Sequence, residues 1–413
     1  MTQVKRPRLS TSDYHTEHLP DISGFCLSEK IVLDLPPDIG ATAAIAVCPS
    51  VNTESHTDDS MQNGYVTIAI GTHLGCIALV HSDQTTSILE GPGGPAIQKL
   101  LALEPTKHDD STSINNETKL STKTQCGVVA GDAEGRITTY FSGRMFSRKT
   151  YAEPISALAP DCNPNTPSSF LVGDMSGTVI NCHAQGVAWK AQIDISTPSN
   201  PARSVLAGKE SKLTDLTIRD VCSVQLPDRH GLFTNYVLVA SGTGHVQLLS
   251  RGVPVHTIAL SAPCNALCPG VFLGSGTGDK VRLPPTRHNL QAMIGDDAGR
   301  LFVLDGFELV PYAQLDYPIT RVFSLPLRAF GSYDGPDVVI CATRSDSIYI
   351  LYQKKIVATH VTGFWPAAVN IIPAFLDAGP AIAVVESQMR REQGRYDRVH
   401  IILLEPTWME SQT

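Results

Sequence analysis

Paired carboxylates, a glycine-rich run and neighbouring cysteines are the residues of this sequence whose types and spacing could do chemistry. Asp132 with Glu134, and Asp296 with Asp297, place carboxylates one or two residues apart. Calcium loops begin this way, because Ca²⁺ takes roughly six to eight oxygen ligands. The full D-x-D-x-D-G series is missing and one turn supplies at most two carboxylates, so both pairs read as structural turns. The run Gly274-Ser275-Gly276-Thr277-Gly278-Asp279-Lys280 invites comparison with a phosphate loop. A phosphate loop would need Gly where Asp279 stands and Ser or Thr where Val281 stands, and Pro284-Pro285 blocks a following helix. Cys264 with Cys268, and Cys182 beside His183, raise zinc, but ligands would have to come from separate strand units without a paired C-x-x-C. Neither a G-x-S-x-G elbow nor an H-E-x-x-H or H-R-D motif occurs. The sequence therefore assigns no catalytic, cofactor-binding or metal-ligating residue.

The elements that carry these residues repeat. Val128 to Ile137, Leu171 to Val179 and Met293 to Leu301 each read as an apolar strand, a Gly-Asp-x-x-Gly turn and a second apolar strand. Asp132, Asp174 and Asp296 open the three turns, where a carboxylate can accept hydrogen bonds from backbone N–H groups two residues on. Gly135, Gly177 and Gly299 supply the positive φ of a type I turn with a G1 bulge. Four weaker units fit around 66–80, 237–249, 338–351 and 381–404, making seven. Each hairpin is followed by a shorter amphipathic strand and then by a segment that starts near Pro and carries small or branched residues, suited to a crowded central channel. The expected fold is all-β: one seven-bladed β-propeller of four-stranded blades.

The last unit lacks an outer strand, whereas residues 25–35 form an extra strand before the first blade. That N-terminal strand is expected to complete the seventh blade and so remove two exposed sheet edges. The propeller should occupy 24–406, with tails at 1–23 and 407–413 and polar loop insertions near 49–64, 105–125, 196–214 and 269–287. Trp189, Trp365 and Tyr349 are expected in core or interblade packing. An enzyme working at the channel mouth would need convergent His, Asp or Glu at the ends of inner strands, where Ala, Val, Ile and Ser prevail.

Bulk properties narrow the function. The 413 residues are 42% apolar and 17% charged, enough to bury a core, and the net charge of -8 gives no basic field for nucleic acid or anionic lipid. No apolar run reaches the length of a membrane span. Of ten cysteines, Cys26, Cys48, Cys76, Cys126, Cys222 and Cys341 sit in apolar runs, as reduced hydrophobes would. The polar leader lacks a secretory signal, which points to the cytosol or nucleus. Within it, Lys5-Arg6-Pro7-Arg8 matches a short nuclear import signal or else a solvated tail.

The units 131–140 and 295–306 resemble the repeats of FG-GAP-type β-propellers, over most of 41–404 as a repeat pattern. The order of Gly295 to Asp305, Ile319 to Leu325 and Val338 to Tyr352 is similar, more narrowly, to the FG-GAP-repeat propellers of the KICSTOR kind. That resemblance implies a non-catalytic scaffold subunit in nutrient and growth signalling. It would be cytoplasmic and recruited to the lysosomal surface through protein partners, without membrane insertion or direct contact with nucleic acid. The chain lacks the aspartate-rich calcium loop of metal-binding FG-GAP repeats and the Gly-His and Trp-Asp signatures of WD40 blades. The alternative expectation is a nuclear adaptor propeller in a chromatin or nucleic-acid-processing complex.

Overall fold

Hairpin strands that are apolar without alternation have both faces covered, and the computed structural model shows what covers them. It describes residues 22–35, 40–48, 66–81, 85–89, 93–103, 127–141, 144–151, 153–163, 169–183, 186–193, 216–227, 232–273, 290–330, 335–373, 375, 379–386 and 397–408. The chain opens with β1 (Ile22–Asp34). Blade 1 follows as β2 (Ala41–Cys48), β3 (Thr67–Thr72), β4 (Ile77–His81) and β5 (Thr86–Leu89), and blade 2 as β6 (Ile97–Leu103), β7 (Gly127–Asp132), β8 (Arg136–Phe141) and β9 (Arg144–Thr150). Blade 3 comprises β10 (Ile155–Pro160), β11 (Phe170–Asp174), β12 (Thr178–His183) and β13 (Gly186–Gln192). Blade 4 comprises β14 (Ile218–Pro227), β15 (Phe233–Ser241), β16 (His245–Ser250) and β17 (Val253–Ala259). Blade 5 is β18 (Cys264–Gly270), β19 (Gln291–Asp296), β20 (Arg300–Asp305) and β21 (Glu308–Gln314). Blade 6 is β22 (Ile319–Leu325), β23 (Val338–Thr343), β24 (Ser347–Tyr352) and β25 (Lys355–Val361). Blade 7 takes β26 (Pro366–Ile372), β27 (Ala381–Glu386) and β28 (Arg398–Trp408) from the C-terminal end and β1 from the N-terminal end.

All pairings within blades are antiparallel between sequence neighbours, except that β1 joins β28. The innermost strands pack in the cyclic order β2, β6, β10, β14, β18, β22, β26 and back to β2, so the fold is a closed seven-bladed β-propeller. Second strands such as β7, β19 and β23 are buried at every position because a blade lies against each face. The glycine before each turn aspartate has an interblade role: a Cβ on Gly173 would come within 2.5 Å of Ile218, and one on Gly131 within 2.6 Å of Ile155. The first Ile of one blade thus seats against the glycine of the blade before it. Blade 4 carries Ala240 at that place, where it shares a core cluster with the smaller Cys264.

Closure depends on a bulge. Phe25, Leu27, Ile31 and Leu33 all have odd numbers, so a regular strand would turn them to one face. The register of β1 on β28 shifts between Glu29 and Ile31 and reverses the parity. Phe25 and Leu27 consequently pack with the core between blades 6 and 7, while Ile31, Leu33 and Leu35 pack with the core between blades 7 and 1. The Phe25 ring lies 5.4 Å from Phe330 of a 3-10 helix, Leu327–Phe330. Strand β1 begins two residues before the expected propeller start at 24, and β28 runs two residues past the expected end at 406, through Thr407 and Trp408. Pro269 and Gly270, expected in a loop, end β18. The other loop insertions, 49–64, 105–125, 196–214 and 274–287, lie outside the described residues.

Candidate interaction surface

Because strands alternate in direction, the turns from second to third strand and the connections from one blade to the next share one face of the ring. The turn aspartates organise this face. Oδ1 of Asp132 accepts hydrogen bonds from Glu134 N at 2.9 Å and Arg136 N at 2.8 Å. Asp174 Oδ1 accepts from Ser176 N at 2.9 Å and Thr178 N at 2.8 Å, and Asp296 Oδ1 from Ala298 N and Arg300 N, both at 2.9 Å. Arg300 donates to the other oxygen of Asp296. Gly135, Gly177 and Gly299 have φ of 77°, 89° and 78°, and their carbonyls accept from Tyr151 N, Ile193 N and Leu315 N at the end of the outer strands. The residue after each Asp donates its N–H to the carbonyl just before the innermost strand: Ala133 to Ala96, Met175 to Pro154, Asp297 to Pro263. One turn therefore ties four strands, and its carboxylate is engaged by the backbone.

Next to the channel, charged side chains bridge blades 4 to 6. Arg219 Nη1 donates to Asn265 Oδ1 and, at 3.1 Å, to Asp297 Oδ2. Asn265 Nδ2 donates to Asp297 Oδ1 at 2.6 Å and to the Ile319 carbonyl at 3.0 Å, while Arg344 Nη2 lies 3.5 Å from Asp297 Oδ1. Partial burial pushes the Asp297 carboxyl up, but hydrogen bonds from Asn265 and Arg219 and the charges of Arg219 and Arg344 outweigh it and hold it below its ordinary value. Around this network the same face exposes large apolar side chains. Leu74 and Met175 in turns are 58% and 44% exposed, and Tyr317 and Trp365 in interblade connections are 46% and 75% exposed. Trp365 was expected in packing and is instead a surface side chain, because it stands in the connection between β25 and β26 where no blade covers it. Tyr349 is buried, and Trp189 packs partly buried over Gly252 of the next blade.

The channel below the turns holds three charges that sequence reading missed. Lys99, Asp220 and Arg321 each sit two residues into an innermost strand, just past the bulge that follows Ile97, Ile218 and Ile319. Asp220 Oδ2 accepts from Leu267 N of the neighbouring blade at 2.8 Å and Oδ1 from Val221 N at 3.0 Å. Burial pushes the Asp220 carboxyl up, offset in part by the Arg321 charge, the Leu267 N–H, the Lys99 charge and the Val221 N–H. Burial and the charge of Arg321 lower Lys99 to about 7 against the pull of Asp220. The shared pattern Ile-x-charge at 97–99, 218–220 and 319–321 was the available signal; the prevalence of Ala, Val and Ile around it masked it.

The remaining candidates fall apart or lie elsewhere. Cys264 and Cys268 share one strand of blade 5, and Cys182 and His183 lie in blade 3. Burial pushes the thiols of Cys222, Cys264, Cys268 and Cys341 up, away from the thiolate a metal would need. Cys26, expected as a buried hydrophobe, is exposed on β1, and Cys76 is half-buried. Among the described residues no three His, Cys, Asp or Glu side chains converge for a metal, and no helix is long and apolar enough to cross a membrane. Cys126, Lys5, Arg6, Pro7, Arg8 and the 274–280 run lie outside the described residues.

The class this geometry defines is the seven-bladed β-propeller, and solved structures of that fold resemble it. A crystal structure of BBS1N in complex with ARL6DN, from a mercury soak, matches with a TM-score of 0.54 at 13% identity, covering 92% of this chain and 98% of that one. A lead-soaked crystal of the same complex gives 0.55 at 11% identity with the same coverage. Likeness at these identities is one of fold. No family model and no curated protein matches the sequence.

Proposed function

We propose that this propeller is a non-catalytic scaffold subunit that docks other proteins through its turn face. The observation that carries the proposal is Trp365, 75% exposed on a face braced by backbone-anchored turns, with Tyr317 and Arg344 exposed on the same face. Trp, Tyr and Arg are the residues that most often dominate binding energy at protein interfaces, and a preorganised face loses little entropy on docking. The non-catalytic part rests on the carboxylates of this face being committed to turns and to the Arg219–Asn265–Asp297 network. BBS1N, of like fold, is seen with a protein partner, and that pairing is a property of BBS1N.

Within this reading, we propose a role in nutrient and growth signalling of the KICSTOR kind, cytoplasmic and brought to the lysosomal surface by partners; the support is the resemblance of units 131–140 and 295–306 to FG-GAP repeats. Affinity purification of tagged protein from fed and starved cells, followed by mass spectrometry, tests it. A stoichiometric set of subunits including a GTPase-activating component is the expected result. A second reading, the nuclear adaptor, draws on Lys5-Arg6-Pro7-Arg8. Deletion of the first 20 residues should then move the protein out of the nucleus, and unchanged localisation would sink that version.

A further inference from the structure

We propose that the channel waist between Lys99, Asp220 and Arg321 binds one oxyanion group, the phosphate, sulfate or carboxylate of a small ligand. The three residues belong to blades 2, 4 and 6, which are not neighbours in the ring, so the space their charges share is the channel. They occupy equivalent places after the innermost bulge; at that place blades 3, 5 and 7 carry Ala157, Ala266 and Ala368. Those three alanines are buried in interblade cores, so the intervening blades add no charge at this level.

The charges there do not balance. Arg321 and, in its protonated form, Lys99 share one carboxylate, and both oxygens of that carboxylate already accept backbone N–H bonds. Among the described residues no carboxylate reaches ion-pair distance of Lys99 or Arg321. A guanidinium offers a planar fork for two oxygens and an ammonium a mobile point charge, a pairing suited to a tetrahedral or planar oxyanion. Asp220 then sets selectivity by repelling an anion that sits too deep or carries excess charge.

Proton uptake should accompany binding. Without an anion, Lys99 at about 7 is half neutral near neutrality; an anion beside it favours the charged form. Strands β2, β3 and β10, packed against β6, carry no acidic, basic or histidine side chain, and Asp132 on β7 is held by its own turn. Arg321 and Asp220 are therefore the charges that act on Lys99.

Acetic anhydride labelling of the full chain, mapped by mass spectrometry, tests the site with inorganic phosphate as the probe. Phosphate should slow acetylation of Lys99 while leaving the exposed Lys190 and Lys355 unaffected. Titration calorimetry should show binding about tenfold tighter at about pH 6 than at about pH 8.5. Arg321→Met should abolish protection of a Lys99 still present, and Asp220→Asn should strengthen it by removing the like charge. Glycerol phosphate and succinate distinguish the source: stronger protection by either than by phosphate assigns the oxyanion to an organic ligand. Equal protection by chloride at matched ionic strength, or no protection at roughly 10 mM phosphate, overturns the proposal.

Discussion

The turn face and the perimeter of the ring both expose large apolar side chains, but on different foundations. On the turn face Met175 stands in the Asp174 turn and Leu74 in a turn held by Thr72, while Tyr317 and Trp365 stand in interblade connections tied to the β23–β24 turn by the Arg344 N–H to Pro318 and Thr362 N–H to Asp346 bonds. On the perimeter, Phe146 of β9, Val253 and Val255 of β17 and Val361 of β25 lie on fourth strands with one free edge. Those edges are blunted. Pro254 and Pro311 withhold donors, Lys149, Lys190 and Lys355 bring charge, and bulges interrupt the third-to-fourth pairing at Leu248/Leu249 and Leu301/Phe302. Apolar exposure is thus coupled to rigidity on one surface and to protection against strand addition on the other, which is why docking is assigned to the first.

The largest effect expected from perturbing this contrast comes from the perimeter strand that arrives from the far end of the chain. Deleting residues 22–35 removes Phe25, Leu33 and Leu35 from two interblade cores, and truncation of a single buried Leu or Phe costs about 2–5 kcal/mol. Loss of cooperative unfolding by calorimetry is expected; an unchanged melting temperature would show that blade 7 closes without β1. Next in size, Asp296→Ala strands the N–H groups of Ala298 and Arg300 and should cost about 1–3 kcal/mol in urea unfolding. Phe146→Ser on the perimeter should stay within about 0.5 kcal/mol, and equal losses for the two variants would erase the distinction in rigidity.

A pH-dependent effect sits between the two surfaces, in the channel. Lys99 is lowered to about 7 in the folded protein against 10.5 as a free side chain. Between those values the unfolded chain binds more protons, so this residue makes stability rise with pH over that window and contributes no slope below it. Lys99→Met should flatten the rise in unfolding free energy between about pH 7.5 and pH 9.5. A variant with the wild-type slope would mean that Lys99 is solvated and ordinary.

Legibility in the sequence followed how local each feature is. The Gly-Asp-x-x-Gly turns at 131–135 and 295–299 are set by neighbours in the chain, and blade number and closure followed from counting them. The bulge between Glu29 and Ile31 was not legible, since it depends on how β1 registers against a strand hundreds of residues away. Trp365 was misplaced because an aromatic next to a strand reads as core until the neighbouring blade is seen to leave it uncovered. Lys99, Asp220 and Arg321 are far apart in sequence, and only ring closure brings them to one level of the channel.

The most direct measurement compares partner capture by two double variants of equal stability. Tagged Trp365→Ala/Tyr317→Ala protein carries the change on the turn face, and Val253→Ser/Val255→Ser protein carries it on the perimeter. Removing two aromatic anchors should weaken binding by about 2 kcal/mol or more. The account predicts that the turn-face variant loses the co-purifying subunits while the perimeter variant retains them. Retention by the first and loss by the second would contradict it.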